Sequence, residues 1–170
     1  MMQAPLLITP RLRLRAHVLS DMDPFWRFYQ SDRAVYMSAP QNRTHLFYGL
    51  HSEIASWQTM GHGGWAVDTA DGQMVGQVSI THPPHFAETE IGWLVFDGYE
   101  GQGYAYEAAQ AALKWAWANL PHSSLVSYIH RDNARSQALA LRLGAAADPK
   151  APCGASDIVY RHSRPKGAMA

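Results

Sequence analysis

The sequence predicts an α/β fold with a mixed sheet and helices on both faces. One observation is the order of the periodic segments: helical patterns, then a hairpin-rich run of strands, then strand–helix–strand–helix–strand. The other is a glycine-rich turn, Asp97-Gly-Tyr-Glu-Gly-Gln-Gly-Tyr-Ala-Tyr-Glu107, between a strand-like run and a long helical one. In open α/β sheets, ligands gather at the carboxyl ends of strands, where this turn falls.

Arg11-Leu-Arg-Leu-Arg15 alternates strictly, as a strand with one buried and one wet face does. Its arginines read as a solvated strand face, with a nucleic-acid patch as the alternative. Ser20-Asp-Met-Asp23 has the form of a capping box and opens a helix expected to bury Met22, Trp26 and Tyr29. Leu46, Leu50, Ile54 and Trp57 fall at helical spacing, and Gly61-His-Gly-Gly64 ends that helix. Asp71-Gly72 signals a tight hairpin between strands over 65–70 and 73–81.

Pro83-Pro84 breaks the second of those strands. Residues 88–96 alternate again, with Ile91, Trp93 and Val95 on one face and Glu90, Gly92 and Leu94 on the other. Over 103–120 the period becomes helical, with Ala109, Leu113, Ala116, Trp117 and Leu120 as the apolar face. A strand over 125–129, a helix over 133–143 stopped by Gly144 and a last strand over 158–160 complete the pattern. One domain over residues 1–162 is expected, with a loose tail over 163–170.

The 170 residues are 47% apolar, with six Trp and eight Tyr, enough for one packed core. No apolar run is long enough to span a membrane, so no membrane partner is expected. The N-terminal stretch lacks a signal-type core, and the single Cys153 forms no internal disulfide; a cytoplasmic location is the expectation. Lys plus Arg equals Asp plus Glu at 14 each, which removes the electrostatic drive toward nucleic acid. The nine histidines lack metal-ligand spacing and Cys153 has no partner ligands, so no metal is expected.

The glycine turn carries the chemistry. The first turn of a helix has N–H groups without intrahelical acceptors, and the helix dipole adds positive potential there. Gly101 and Gly103 let a ligand approach that backbone, so the turn suits an anion, and a pyrophosphate best. The sequence has no Gly-x-x-x-x-Gly-Lys-Ser/Thr, which removes a Walker-type loop. Gly98, Gly101 and Gly103 do not form Gly-x-Gly-x-x-Gly, which removes a Rossmann fingerprint.

What the turn does match is the signature Arg/Gln-x-x-Gly-x-Gly/Ala, present as Glu100-Gly-Gln-Gly103-Tyr-Ala105. With Thr9-Pro-Arg-Leu-Arg-Leu-Arg15, Glu90-Ile-Gly-Trp-Leu94, Asn133-Ala-Arg-Ser136 and Leu143-Gly144 in the same order, the chain resembles the GNAT superfamily of N-acetyltransferases along nearly its whole length. The likeness is greatest to the branch that acetylates ribosomal-protein N-termini. It implies a mostly antiparallel central sheet of about six to seven strands, acetyl-CoA as acetyl donor, and a small amine or a protein N-terminus as acceptor. The implied molecule is a monomer or homodimer that attacks the thioester directly, without a covalent enzyme intermediate.

The resemblance also implies roles. Amides of Gly101, Gln102, Gly103, Tyr104 and Ala105 would hold the pyrophosphate. The strand residues Leu94, Val95 and Phe96, beginning from Trp93, would pair with the pantetheine arm, and one of their N–H groups would polarise the thioester carbonyl. Asn133 would hydrogen-bond the same arm. Many relatives carry a tyrosine seven residues after that asparagine to protonate the thiolate; here the position is Ala140. Ser136 shares a helix face with Asn133 and Ala140 and is the substitute acid, its alternative reading being a helix serine bonded to a nearby carbonyl. Glu90 is the first choice of base, or else an ordinary strand carboxylate. His82 and His85 either relay a proton or are solvated, and Cys153 is a bystander.

Glu100 replaces the usual Gln or Arg and sets a carboxylate near the pyrophosphate. Phe25, Trp26, Tyr29 and Phe86 line an acceptor pocket or belong to the core. A CoA-binding module without catalysis is the rival reading, supported by Ala140 and Glu100.

Overall fold

A computed structural model describes residues 3–167. Eight strands form one sheet: β1 (Leu7–Ile8), β2 (Leu12–Arg15), β3 (Gly64–Thr69), β4 (Met74–Thr81), β5 (Glu90–Val95), β6 (Ser124–His130), β7 (Ala146–Ala147) and β8 (Asp157–Ser163). Their spatial order is β1-β2-β3-β4-β5-β6-β8-β7, and every neighbouring pair is antiparallel except β5 and β6. The count exceeds the expected six to seven because β1 and β7 have two residues each, too few to show an alternation.

Four helices cover the sheet: α1 (Met22–Tyr29), α2 (Arg43–Thr59), α3 (Tyr104–Asn119) and α4 (Ala134–Arg142). The alanines of α3 let it lie close against the sheet, where Ala108, Ala109, Ala112, Leu113 and Ala116 pack on Leu12, Leu14, Val78 and Ile91. On the opposite face, Phe25 and Phe28 of α1 and Leu46 and Leu50 of α2 cover Ala66, Leu94 and Phe96. Trp57, at the end of α2, donates to the Gly64 carbonyl at 2.9 Å and packs edge-on against Trp65 and Trp115.

Three local readings are corrected. The turn Leu19–Asp21 precedes α1, and Asp21 accepts from the Val18 N–H at 3.0 Å, so the cap lies ahead of Ser20. The buried face of α1 is Phe25 and Phe28, whereas Met22, Trp26 and Tyr29 are only partly covered at its margin. In α2, Ile54 is exposed, because the buried stripe is Leu46, Leu50 and Trp57, with Glu53 half-buried on the same face.

The expected tail also begins later. Ser163 closes β8, the Arg164 N–H donates to the Ser123 carbonyl at 2.9 Å, and its guanidinium donates to the Leu120 carbonyl. Residues 168–170 of that tail lie outside the described residues.

Candidate active site

β5 and β6 run parallel yet share one register pair, Glu90 with Val126, closed by the Val126 N–H to the Thr89 carbonyl at 3.0 Å. Beyond that pair the strands diverge toward their carboxyl ends, leaving a fork. Which backbone groups face it follows from antiparallel alternation. The Phe96 N–H donates to Val75 of β4 at 2.9 Å, so Phe96 belongs to a hydrogen-bonded pair with β4, and so does Leu94, two residues back. The edges of Trp93 and Val95 therefore face the fork. Of the expected pantetheine-pairing residues, Val95 is placed to serve; the backbones of Leu94 and Phe96 are committed to β4 and their side chains to the core.

The chain leaves β5 into the glycine turn at the fork's mouth. Gly98, Gly101 and Gly103 have φ of +83°, +73° and +79°, left-handed conformations that a side chain would strain. Gly103 is the cap residue of α3, and among the described residues no side chain bonds the first-turn amides there. A groove of about 530 Å³ borders these amides, lined by Pro10, Arg11, Gly101, Gln102, Gly103, Tyr106, Glu107, Gln110 and Arg142. The free amides, the glycines and the basic rim fit a pyrophosphate.

The first strands brace this turn. Glu107 accepts from the Thr9 hydroxyl at 2.6 Å, from the Arg11 backbone at 2.9 Å and from the Arg11 guanidinium at 2.7 Å. Arg11 also donates to the Gln102 carbonyl at 2.9 Å. Arg15 bridges Asp21 and Asp68. The expected solvated arginine face is thus mostly ion-paired, with Arg13 alone unpaired among the described residues.

α4 begins at the same end of the parallel pair. The Asn133 side chain caps it, Oδ1 accepting from the Ser136 N–H at 3.2 Å, which leaves its amide nitrogen for a ligand. The Ser136 hydroxyl makes no hydrogen bond among the described residues, so it is not tied to a carbonyl. Ala140 is fully buried and offers no hydroxyl.

Glu90 sits where the fork opens. One carboxylate oxygen accepts from the Tyr128 N–H at 3.3 Å, and burial raises its pKa to about 7, the hydrogen bond opposing and Asp157 adding to the rise. Gly64, Ser79 and Gly92 lie side by side across β3, β4 and β5 on this face and make a low floor beside Glu90.

Glu53 of α2 stands over that floor. Its Oε2 would be 2.8 Å from a Cβ at Gly64, and burial first, then the charge of Glu90, raises its carboxyl to about 7. Burial and the charge of Glu53 raise the Tyr29 hydroxyl. Sequence reading missed Glu53, although the spacing of Leu46, Leu50, Glu53 and Trp57 puts a carboxylate in an apolar stripe, an unusual placement.

Arg33 is the second residue missed. It donates to the Val95 carbonyl at 3.2 Å, and it pairs with Glu100 at 3.1 Å and Asp97 at 3.5 Å. The Glu100 carboxylate is therefore neutralised by a neighbour.

The remaining candidates are elsewhere or committed. His82 Nδ1 lies 3.2 Å from the buried Thr89 hydroxyl, and exposed His85 packs edge-on against Phe86. Phe25 is core, Phe86 lies against Tyr128, and Cys153 is exposed, its thiol donating to the Asp157 carbonyl at 3.5 Å.

Comparison with known proteins agrees with this geometry. The acetyltransferase (GNAT) domain model matches residues 11–146. A crystal structure of an acetyltransferase from Agrobacterium tumefaciens str. C58 is 37% identical, with a TM-score of 0.89 over 95% of this chain and 96% of that one. RimL, a ribosomal L7/L12 alpha-N-protein acetyltransferase solved with coenzyme A, is 18% identical, with a TM-score of 0.75 over 94% and 98% of the two chains. Microcin C7 self-immunity acetyltransferase MccE, solved with acetyl-CoA and AMP, is 16% identical, with a TM-score of 0.73 over 91% and 93%. At those identities the last two share the fold. A family match over most of the chain, with a forked parallel pair and a glycine turn at its mouth, makes this chain a member of the GNAT acetyltransferase family.

Proposed function

We propose that the chain is an acetyl-CoA-dependent N-acetyltransferase whose acceptor is a primary amine, on a small molecule or a protein N-terminus. The observation that carries the reading is the β5–β6 fork, with Glu90 at its apex and unpaired helix amides at its mouth. Acetyl-CoA held by the amides of 101–105 and the edge of Val95 supplies the thioester. Direct attack needs a neutral amine, and a carboxyl raised to about 7 is matched to take an ammonium proton near neutral pH. The fork-facing N–H of Trp93 or Val95 suits stabilisation of charge on the thioester oxygen. Asn133 contributes its amide nitrogen to the cofactor arm, and the unengaged Ser136 hydroxyl donates a proton to the departing sulfur.

All of these residues come from one chain, so a monomer suffices, and exposed, unpaired Cys153 suits a reducing, cytoplasmic setting. Thiol release from acetyl-CoA over a panel of amines and free-N-terminal peptides tests the reading, with calorimetry reporting cofactor binding separately. Acetylation that Glu90→Gln suppresses, most strongly at low pH where the ammonium dominates, supports it. Cofactor binding without transfer to any acceptor supports the rival, a CoA-binding module, which buried Ala140 favours by removing the family's hydroxyl.

A further inference from the structure

The floor of Gly64, Ser79 and Gly92 is bordered by hydrogen-bond acceptors. Glu53 Oε2 is buried and has no partner. His17 Nε2 is likewise buried and unpartnered, on a side chain that is 0% exposed. Both converge on one point, since a Cβ at Gly64 would lie 2.8 Å from Glu53 Oε2 and 3.2 Å from His17 Nε2. A residue larger than glycine would collide with both, so the glycine is what lets these groups lie this close to the strand. Glu90 Oε2 borders the other end, 3.7 Å from a Cβ at Gly92.

His17 is held from behind. Its Nδ1 is 3.1 Å from Asp21, whose carboxylate is fixed by the Arg15 guanidinium at 2.9 Å and the Val18 N–H at 3.0 Å. A fixed carboxylate accepts, so Nδ1 bears a proton and the ring is locked with Nε2 toward the floor. Among the described residues neither Glu53 nor Glu90 pairs with a lysine or arginine, and Arg15, behind His17, is engaged between Asp21 and Asp68.

We propose that Glu53 is the acceptor-recognition residue: with Glu90 it selects a primary ammonium that carries no carboxylate on the adjacent carbon. This rests on the acetyltransferase reading and deepens it. An ammonium brings three donors and a positive charge to a site that offers the complement of both. An α-amino acid would set its own carboxylate beside two others that have no lysine or arginine partner, and like charges brought together beside buried groups are strongly disfavoured. A peptide N-terminus passes this filter because its neighbouring carbonyl is an amide.

Two matched pairs test the proposal: phenethylamine against phenylalanine, and 1,4-diaminobutane against ornithine, each assayed by thiol release from acetyl-CoA. The expected result is a kcat/KM at least about tenfold higher for the amine of each pair. Glu53→Gln, nearly isosteric, should raise the amine KM about tenfold, leave the KM for acetyl-CoA within about twofold, and shrink the discrimination. Glu53→Asp should recover part of the loss. Equal rates within a pair overturn the proposal, as does an unchanged amine KM in Glu53→Gln. So does acetylation of no amine or peptide by a protein that binds acetyl-CoA calorimetrically. Absence of cofactor binding in the wild type would instead defeat the acetyltransferase reading beneath it.

Discussion

Replacing Glu53 by Gln should stabilise the fold by an amount that grows from pH 4.5 upward and is nearly complete at pH 7. The carboxyl is raised from 4.5 to about 7, chiefly because burial disfavours its charge. At ~1.4 kcal/mol per pH unit, the ionised side chain costs about 3 kcal/mol at pH 8 and above. The sign follows from linkage. A carboxyl whose folded pKa exceeds its unfolded value contributes stability below pH 4.5, and that contribution is lost as pH rises through 7. Gln mimics the protonated form and loses nothing over this range. In a protein of this size 1 kcal/mol corresponds to roughly 2–4 °C, so the variant should melt about 6–12 °C higher at pH 8. The two proteins should coincide near pH 4.5. Melting followed by circular dichroism across pH 4.5–8.5 measures the difference. In a Glu90→Gln background the difference should level off at lower pH and be smaller, because the charge of Glu90 is the second cause of the shift. Melting curves that stay parallel over the whole range would refute the reasoning, since they would mean Glu53 is solvated as a carboxylate.

Ser136→Ala should lower kcat on the order of 10²-fold with little change in cofactor affinity, and an unchanged kcat would assign the proton to another donor. Glu100→Gln should tighten CoA binding by roughly two- to fivefold at low salt and less at high salt, because Arg33 keeps only Asp97 as acidic partner and adds net positive charge beside the pyrophosphate turn; weaker binding would show that the Arg33–Glu100 pair shapes the loop. His162, buried with Nδ1 unpartnered, has its pKa lowered to about 4 by desolvation. Its stabilising contribution is therefore present above pH 6.5 and lost as pH falls toward 4. His162→Gln should flatten the acid side of the stability profile, and an unaltered acid limb would show that other groups set it.

Much was legible because it is local. The glycine turn, the alanine-rich face of α3 and the start of α4 at Asn133 follow from spacing, backbone freedom and capping, which adjacent residues decide among themselves. The same local information placed the six longer strands. It missed β1 and β7, whose two residues pair because a neighbour is there. It also misjudged the inward face of α1 by one residue, since Trp26 and Tyr29 are large enough to read as core yet lie at its margin.

The sequence by itself determined the family and the glycine turn between β5 and α3. Only the tertiary structure decided that Val95 rather than Leu94 or Phe96 faces the fork, because that depends on which N–H groups β4 has already taken. It alone brought Glu53 from α2 and His17 from the segment after β2 onto the Gly64 floor. The raised carboxyl of Glu53 arises from exclusion of water and from a charge distant along the chain. No local pattern encodes those fields; they exist once the helices close over the sheet.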